Sequence, residues 1–439
     1  MWLLPTFSWL ARLAARIYYR VRFTGPAIPA GPVLLVANHP NSLLDPTLVV
    51  AAGNRPVRFL AKAPLFTDRK IGWLVKAAGA IPVYRRSDDP GLMSRNEDAF
   101  RAVFEVLRHG EVVGIFPEGT SHSDPAMAPL RTGAARIALG ASALSGRSFP
   151  IVPIGLSFRA KETFRSDAFV VRGFPLAWGD LASRGPEDAD AVRELTSRIE
   201  AALRDVTVNL NSWEDKPLVD CAVRIWETER AAPSRDAERL SRMKFTTKAL
   251  ADVRATGDEA GLALAEDVRR HGRRLERLGL RPSDLVADVG AGRGVSWAAR
   301  RFLLFLPLGV AFAVLGAALF WVPYRLTGMI IDRFRLEQDV RSTWKLLIGI
   351  VLYALWLAAM VAVTGATFGI WAALLTMVGV PTIALAGLQV RERWASAWDD
   401  ARRFFLLRAR QSMIESLRER QHLLASRLDD LLGKYAAPQ

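Results

Sequence analysis

The sequence predicts an α/β domain, a mostly parallel sheet flanked by helices, followed by membrane helices. Three observations predict it. Short apolar runs alternate with helical stretches from about residue 24 to 215. Several of these runs end in a polar or Gly/Pro turn, as strands do when they deliver loops to one edge of a sheet. Two later apolar stretches, 302–322 and 346–388, are long enough to cross a bilayer once and twice.

Composition narrows the partners. A chain of 439 residues can hold a catalytic domain and additional segments, and 51% hydrophobic residues is high for a purely soluble protein. The net charge of +15 favours an anionic partner. The apolar segments point that charge towards a lipid membrane and phosphorylated substrates rather than nucleic acid. A single cysteine, Cys221, excludes an intramolecular disulfide framework and a cysteine-rich metal site, and no metal is expected.

Taken in order, residues 1–23 combine Trp2, Trp9, Leu13 and Tyr18 with Arg12, Arg16 and Arg20, which suits an amphipathic helix in a membrane interface. Their order, apolar then basic, is the reverse of a secretory leader. The α/β domain is placed over 24–225. Its strands are expected at 33–37, 57–60, 80–84, 112–116, 151–157 and 168–172, and its helices at 46–52, 70–78, 94–109 and 131–144. In the third of these helices Phe100, Val103, Phe104 and Leu107 mark one face, and Gly110 ends it.

Residues 226–300 read as a basic helical linker. Within it DLVADVGAGRG, 284–294, has the look of a nucleotide or S-adenosylmethionine loop, but the βαβ partners are missing because a hydrophobic segment starts at Phe302. Residues 301–390 are a transmembrane or re-entrant region. Arginines flank every apolar segment, which keeps all flanks cytoplasmic, suits a hairpin at 346–388 and leaves 302–322 re-entrant, bent near Pro307 and Gly309. Residues 391–439 form a charged amphipathic helix whose stripe of Ile414, Leu417, Leu424, Leu428 and Leu431 fits a coiled coil or a surface-lying helix.

Four short stretches carry the chemistry. The run Val33–Val36 leads into Asn38-His39-Pro40-Asn41-Ser42-Leu43-Leu44-Asp45-Pro46. Then come Gly79-Ala80-Ile81-Pro82-Val83-Tyr84-Arg85-Arg86, Phe116-Pro117-Glu118-Gly119-Thr120-Ser121-His122, and Ile151-Val152-Pro153-Ile154-Gly155. His39, held where a strand meets a loop, suits a general base that takes a proton from a substrate hydroxyl. Asp45 suits the acid that fixes its tautomer, and equally suits the cap of a helix with Pro46 in its first turn. Arg85 suits a phosphate, and the turn at Gly119 and Thr120 offers backbone N–H groups to an oxyanion.

Together these stretches resemble the glycerolipid acyltransferase family, whose pattern is a His/Asp box, a G-x-I-x-x-x-R box, an F-P-E-G-T-S box and an apolar strand with proline. The likeness covers roughly residues 30–160 and implies the glycerolipid acyltransferase fold. It implies catalytic roles for His39 and Asp45, acceptor-phosphate binding by Arg85, and an acceptor site shaped by Glu118, Gly119 and Thr120. Lys62 in FLAKAPLF and Arg131 in PLRTGA match basic positions that accompany these boxes. One departure stands out. Five residues, Pro40–Leu44, separate His39 from Asp45, where the family usually has four. The form HPNxLLDP resembles the branch acting on glycerol 3-phosphate and dihydroxyacetone phosphate.

The implied reaction moves a fatty acyl group from acyl-CoA or acyl carrier protein, a co-substrate thioester rather than a cofactor, to a hydroxyl of a phosphorylated glycerol acceptor in phospholipid biosynthesis. Lysophosphatidic acid is the first acceptor expected and glycerol 3-phosphate the second. The enzyme would be integral to the membrane with its catalytic domain on the cytoplasmic face. A non-catalytic lipid-binding membrane protein is the alternative, but lipid binding has no need of a general base.

Overall fold

The structure, a computed structural model, describes residues 3–53, 55–69, 71–84, 96–232, 236–286, 291–334 and 336–435. The chain divides into two compact units. The first comprises Met1–Trp213 with Asp236–Lys244 and Leu336–Thr343, and the second comprises Glu214–Arg235, Phe245–Arg335 and Trp344–Gln439.

The first unit is built on a seven-stranded sheet of β1 (Arg20–Thr24), β2 (Val33–Ala37), β3 (Val57–Lys62), β4 (Ile81–Val83), β5 (Val112–Ile115), β6 (Ile151–Phe158) and β7 (Asp167–Arg172). Their order is β1-β7-β6-β2-β5-β3-β4. The run from β6 to β4 is parallel, with Leu35 opposite both Gly114 and Val152. The edge pair β7 and β1 runs the other way. The sheet is therefore mostly parallel and mixed, as the alternating pattern predicts.

The helices of this unit are α1 (Leu3–Tyr18), α2 (Leu44–Gly53), α3 (Pro64–Thr67), α4 (Gly72–Ala77), α5 (Asn96–Arg108), α6 (Gly133–Ser145) and α7 (Ala189–Val206). Leu34 and Val36 of β2 enter a core with Val103 of α5, Ile137 of α6 and Leu195 of α7. Outside that cluster, α2 buries Leu44, Leu48 and Val49 and packs on β3, β6 and β7. With both faces covered, β2 has no polar face to present, which is why VLLVA reads as an unbroken apolar run. At the end of the fourth quoted stretch, a Cβ on Gly155 would collide with the Val206 carbonyl oxygen, so only glycine lets the end of α7 approach β6.

One expectation changes here. The reading of 1–23 as a single helix gives way to a helix ending at Tyr18 and an edge strand over Arg20–Thr24. RVRFT alternates polar and apolar side chains with period two, which a strand accommodates and a helix does not. The helix α1 turns Ala15 and Tyr18 inward and leaves Trp9, Leu10 and Leu13 exposed, the face an interfacial helix would offer.

The second unit contains α8 (Asp215–Glu229), α9 (Asp236–Thr256, whose start lies in the first unit), α10 (Glu259–Leu278) and α11 (Pro282–Val286). It also contains α12 (Ala291–Arg333), α13 (Gln338–Phe368, likewise begun in the first unit), α14 (Ile370–Ala409) and α15 (Gln411–Tyr435). The region read as a linker is thus packed structure. Leu275, Leu280, Leu285, Ile414 and Leu417 share one core, and the Trp226 indole donates to Asp429 at 2.6 Å. The apolar stripe of α15 faces α8, α10 and α11, so it is satisfied within the chain and needs neither a coiled-coil partner nor a surface. Residues 284–286 are helical, and Gly292 and Gly294 lie inside α12, so no strand precedes the glycines among the described residues; 287–290 lie outside them.

Among the described residues three stretches are long and apolar enough to cross a membrane: Ala311–Arg333, Gln338–Phe368 and Ile370–Glu392. The apolar stretch 346–388 falls on two successive helices, broken at Gly369, whose φ of +83° suits glycine between α13 and α14. The helix α12 continues through Pro307 and Gly309. It meets α14 closely: a Cβ on Gly387 would lie 2.5 Å from the Phe312 carbonyl oxygen. Small residues of this kind let apolar helices approach where no hydrophobic effect drives them together. Val351, Leu355, Val363, Leu375 and Val378 project outward, as lipid-facing side chains do.

Candidate active site

The parallel strands bring the sequence motifs to one edge. β2 delivers His39, β3 ends at Lys62, β4 ends at Val83, and β5 leads into Phe116–His122. Carboxyl ends of parallel strands are where α/β sheets place ligands. Arg85, with Arg86, lies outside the described residues.

His39 Nδ1 lies 2.9 Å from Asp45 Oδ2, with the Asp45 side chain fully buried and the His39 side chain 18% exposed. Asp45 is therefore more than a helix cap. The extra loop residue is absorbed by a turn: Leu44 N–H donates to the Asn41 carbonyl, Asp45 N–H donates to that of Ser42, and Ser42 takes φ +45°. The same Asp45 oxygen accepts from the Asn41 N–H at 2.6 Å. Asn41 in turn donates to the Tyr19 hydroxyl at 2.7 Å, so α1 and β1 help hold the loop. Burial pushes the Asp45 carboxyl above its ordinary value, while His39, the Asn41 N–H and Lys161 oppose the shift.

The FPEGTS stretch grips His39 from three directions. The Phe116 ring stacks on the imidazole with centroids 4.0 Å apart, and Phe59 stacks on Phe116 in turn. Glu118 Oε1 accepts the His39 N–H at 2.7 Å, and the His39 carbonyl accepts the His122 N–H at 3.2 Å. Asn38 pairs through its amide with both backbone groups of Leu156 on β6, fixing the point where β2 ends. With Nδ1 committed to Asp45 and one ring face stacked on Phe116, Nε2 is the nitrogen left for a substrate proton.

The other expected site residues sit as follows. Glu118 is buried and faces inward: its second oxygen takes the Ala128 N–H at 2.7 Å and meets His122 Nε2 at 2.5 Å. Its place is behind His39, holding it, rather than in front of an acceptor. Gly119 spends its N–H on the Phe116 carbonyl at 3.0 Å, so that donor of the expected pair is already engaged within the turn. Thr120 and Lys62 are exposed at the edge, and Lys62 pairs in register with Val83 at the end of β4. The Arg131 side chain lies over Gly119.

Gly119 has φ +76°, and a Cβ there would lie 2.7 Å from Arg131 Cδ. Gly119→Ala is expected to lower stability by about 1–2 kcal/mol through the left-handed backbone alone. It also displaces Arg131. If Arg131 contacts the acceptor, the acceptor KM rises several-fold while the donor KM holds; an unchanged acceptor KM removes Arg131 from the site.

Several contributors had no sequence signal of their own. Tyr19, Phe59 and Lys161 come from separate elements. Lys161 donates to the Pro40 carbonyl at 3.0 Å and to the Ser123 hydroxyl at 2.5 Å, fastening the two site loops together. Asn41 and Phe116 lie inside the quoted stretches, but their partners are distant in sequence.

The arrangement has known relatives. The family model described as Acyltransferase matches residues 20–157. Those residues form an acyltransferase-family domain. A glycerol-3-phosphate O-acyltransferase of Saccharomyces cerevisiae is 32% identical over 137 residues, 30% of this chain and 18% of that protein. A lyso-ornithine lipid O-acyltransferase of Pseudomonas aeruginosa is 36% identical over 151 residues, 34% of this chain and 52% of that one. A 1-acyl-sn-glycerol-3-phosphate acyltransferase of Bacillus subtilis is 29% identical over 160 residues, 35% of this chain and 72% of that one. The chain thus spans less than a fifth of the yeast protein and about half of the Pseudomonas one. The acyltransferase domain contains all four quoted stretches, and α8 to α15 lie beyond it.

Proposed function

We propose that the chain is a membrane-bound O-acyltransferase moving a fatty acyl group from a thioester, acyl-CoA or acyl carrier protein, to a hydroxyl of a phosphorylated glycerol acceptor. The observation that carries it is the His39–Asp45 pair, closed at 2.9 Å across the longer loop and set on the strand edge of an acyltransferase domain. His39 Nε2 takes the acceptor's hydroxyl proton as its oxygen attacks the thioester carbonyl. The C–S bond breaks as the oxyanion collapses, and the imidazolium returns the proton to the departing thiolate. Asp45 stabilises the imidazolium meanwhile. No step needs a metal or a covalent enzyme intermediate.

Lysophosphatidic acid is the first acceptor in this reading. Glycerol 3-phosphate is the second, favoured by the HPNxLLDP form and by similarity to the yeast protein. The net charge of +15 and the three apolar helices support work at an anionic membrane, with the catalytic domain on its cytoplasmic side.

The test is a panel. Full-length protein in vesicles is given acyl-CoA or acyl carrier protein thioester with lysophosphatidic acid, glycerol 3-phosphate, dihydroxyacetone phosphate and a lyso-ornithine lipid. Transfer to a phosphorylated glycerol is the expected result. Transfer to the lyso-ornithine lipid alone, or to nothing, sinks the reading.

A further inference from the structure

The first compact unit includes a segment from far along the chain, Leu336–Thr343, well beyond the acyltransferase domain at 20–157. We propose that this segment is a working part of the active site, with Asp339 and Thr343 as positioning residues that set the His39 loop against the Phe116–His122 turn. The inference rests on the acyl-transfer reading of that site.

Three hydrogen bonds carry it, each to a different loop of the strand edge. Thr343 Oγ1 accepts the Leu43 N–H at 3.2 Å, between His39 and Asp45. Asp339 Oδ2 accepts the Ser121 hydroxyl at 2.5 Å, on the turn that grips His39. Ser342 Oγ donates to the Lys161 carbonyl at 2.7 Å, on the loop after β6. Arg341 adds an ion pair to Glu162 at 3.4 Å. These are not surface contacts: Asp339, Ser342 and Thr343 are 5%, 0% and 5% exposed.

The contacts fit the sequence departure noted in the first box. Five residues between His39 and Asp45 make a turn that uses the Leu44 and Asp45 N–H groups internally and leaves that of Leu43 to find an acceptor. A half-buried N–H without one is costly. Thr343 supplies it from outside the domain. Asp339 does the corresponding service for the opposing turn. Its carboxylate also faces the Lys161 ammonium, which burial holds below the usual lysine range and which Asp339 and Asp45 both favour. Lys161 and the segment therefore tie the same loops from two sides.

Positioning of this kind acts on turnover more than on binding, since small misplacement of a base costs rate steeply. Full-length Thr343→Val, which keeps shape and removes the acceptor, is compared with Asp339→Ala and Asp339→Asn in vesicles. Thr343→Val and Asp339→Ala are expected to lose about 10- to 100-fold in kcat, with both KM values within about threefold of wild type. Asp339→Asn, which still offers Ser121 an oxygen, is expected to recover at least about half of wild-type kcat. Folded Thr343→Val and Asp339→Ala with wild-type kcat, or a loss carried by KM alone, overturns the proposal. If Asp339→Ala does not fold, Thr343→Val decides.

The acyl-transfer reading fails separately, as a wild type that transfers to nothing in the panel. In that case hydrogen exchange decides the positioning claim: faster exchange of peptides 39–45 and 118–123 in folded Thr343→Val supports it, and unchanged exchange overturns it.

Discussion

His39→Ala is expected to lower kcat for acyl transfer by about 10³- to 10⁴-fold, with the donor KM little changed, in the full-length protein in vesicles. The size of the effect follows from how the imidazole is held. Nδ1 is engaged by Asp45 at 2.9 Å, one ring face is stacked on Phe116, and both backbone groups of His39 are bound by the Phe116–His122 turn. Only the removal of a proton through Nε2 is left for it to do. His122 is no substitute, because its Nε2 is committed to buried Glu118 at 2.5 Å. Alanine also removes a packing partner of Phe116, so the melting temperature falls by a few degrees. Turnover within tenfold of wild type in His39→Ala would move the base elsewhere and dissolve the mechanism.

The parts of the site that could be read in advance are those that local chemistry dictates. β2 is legible because a strand covered on both faces has to be apolar throughout, and His39 follows because a polar residue at the end of such a run must leave the core. The periodicity of α5 and its end at Gly110 were readable for the same reason: Val103 and Leu107 are buried on one face, and Gly110 has φ +77°. The edge strand β1 was less legible. Five alternating residues follow directly on a helix with regularly spaced arginines, and one period hides the other.

What the sequence conceals is set by long-range pairing. Leu43 and Thr343 are 300 residues apart, Ser121 and Asp339 218, and Lys161 and Ser342 181. No spacing rule links such pairs, and QDVRST at the start of α13 looks like an ordinary helix opening. Glu118 illustrates a subtler limit. Its presence beside Gly119 was plain, but whether a carboxylate faces a substrate or a backbone N–H depends on burial, and burial turns it towards His39.

Asp45→Asn is the second large effect, and its sign differs between activity and stability. Asp45 Oδ2 accepts from both His39 and Asn41, while Oδ1 is buried without a partner among the described residues. Complete burial raises the Asp45 pKa from 3.8. The folded state therefore holds the proton to a higher pH than the unfolded chain does. The stability this group contributes is full below about 3.8 and falls as pH rises through the window up to the folded value, so above that window burial of the carboxyl is a net cost to folding. Asparagine removes that cost, and its single oxygen can still serve both donors. The melting temperature of Asp45→Asn is expected to equal or exceed that of wild type at pH 7, with the gap closing as pH falls towards 4. Turnover is expected to drop by about 10³- to 10⁴-fold, because the imidazolium formed during transfer loses its buried counter-charge. Melting curves at the two pH values with kcat on the same preparations check both halves. A variant less stable than wild type at neutral pH overturns the burial-cost half, and one that keeps its turnover shows that the charge behind His39 contributes nothing to transfer.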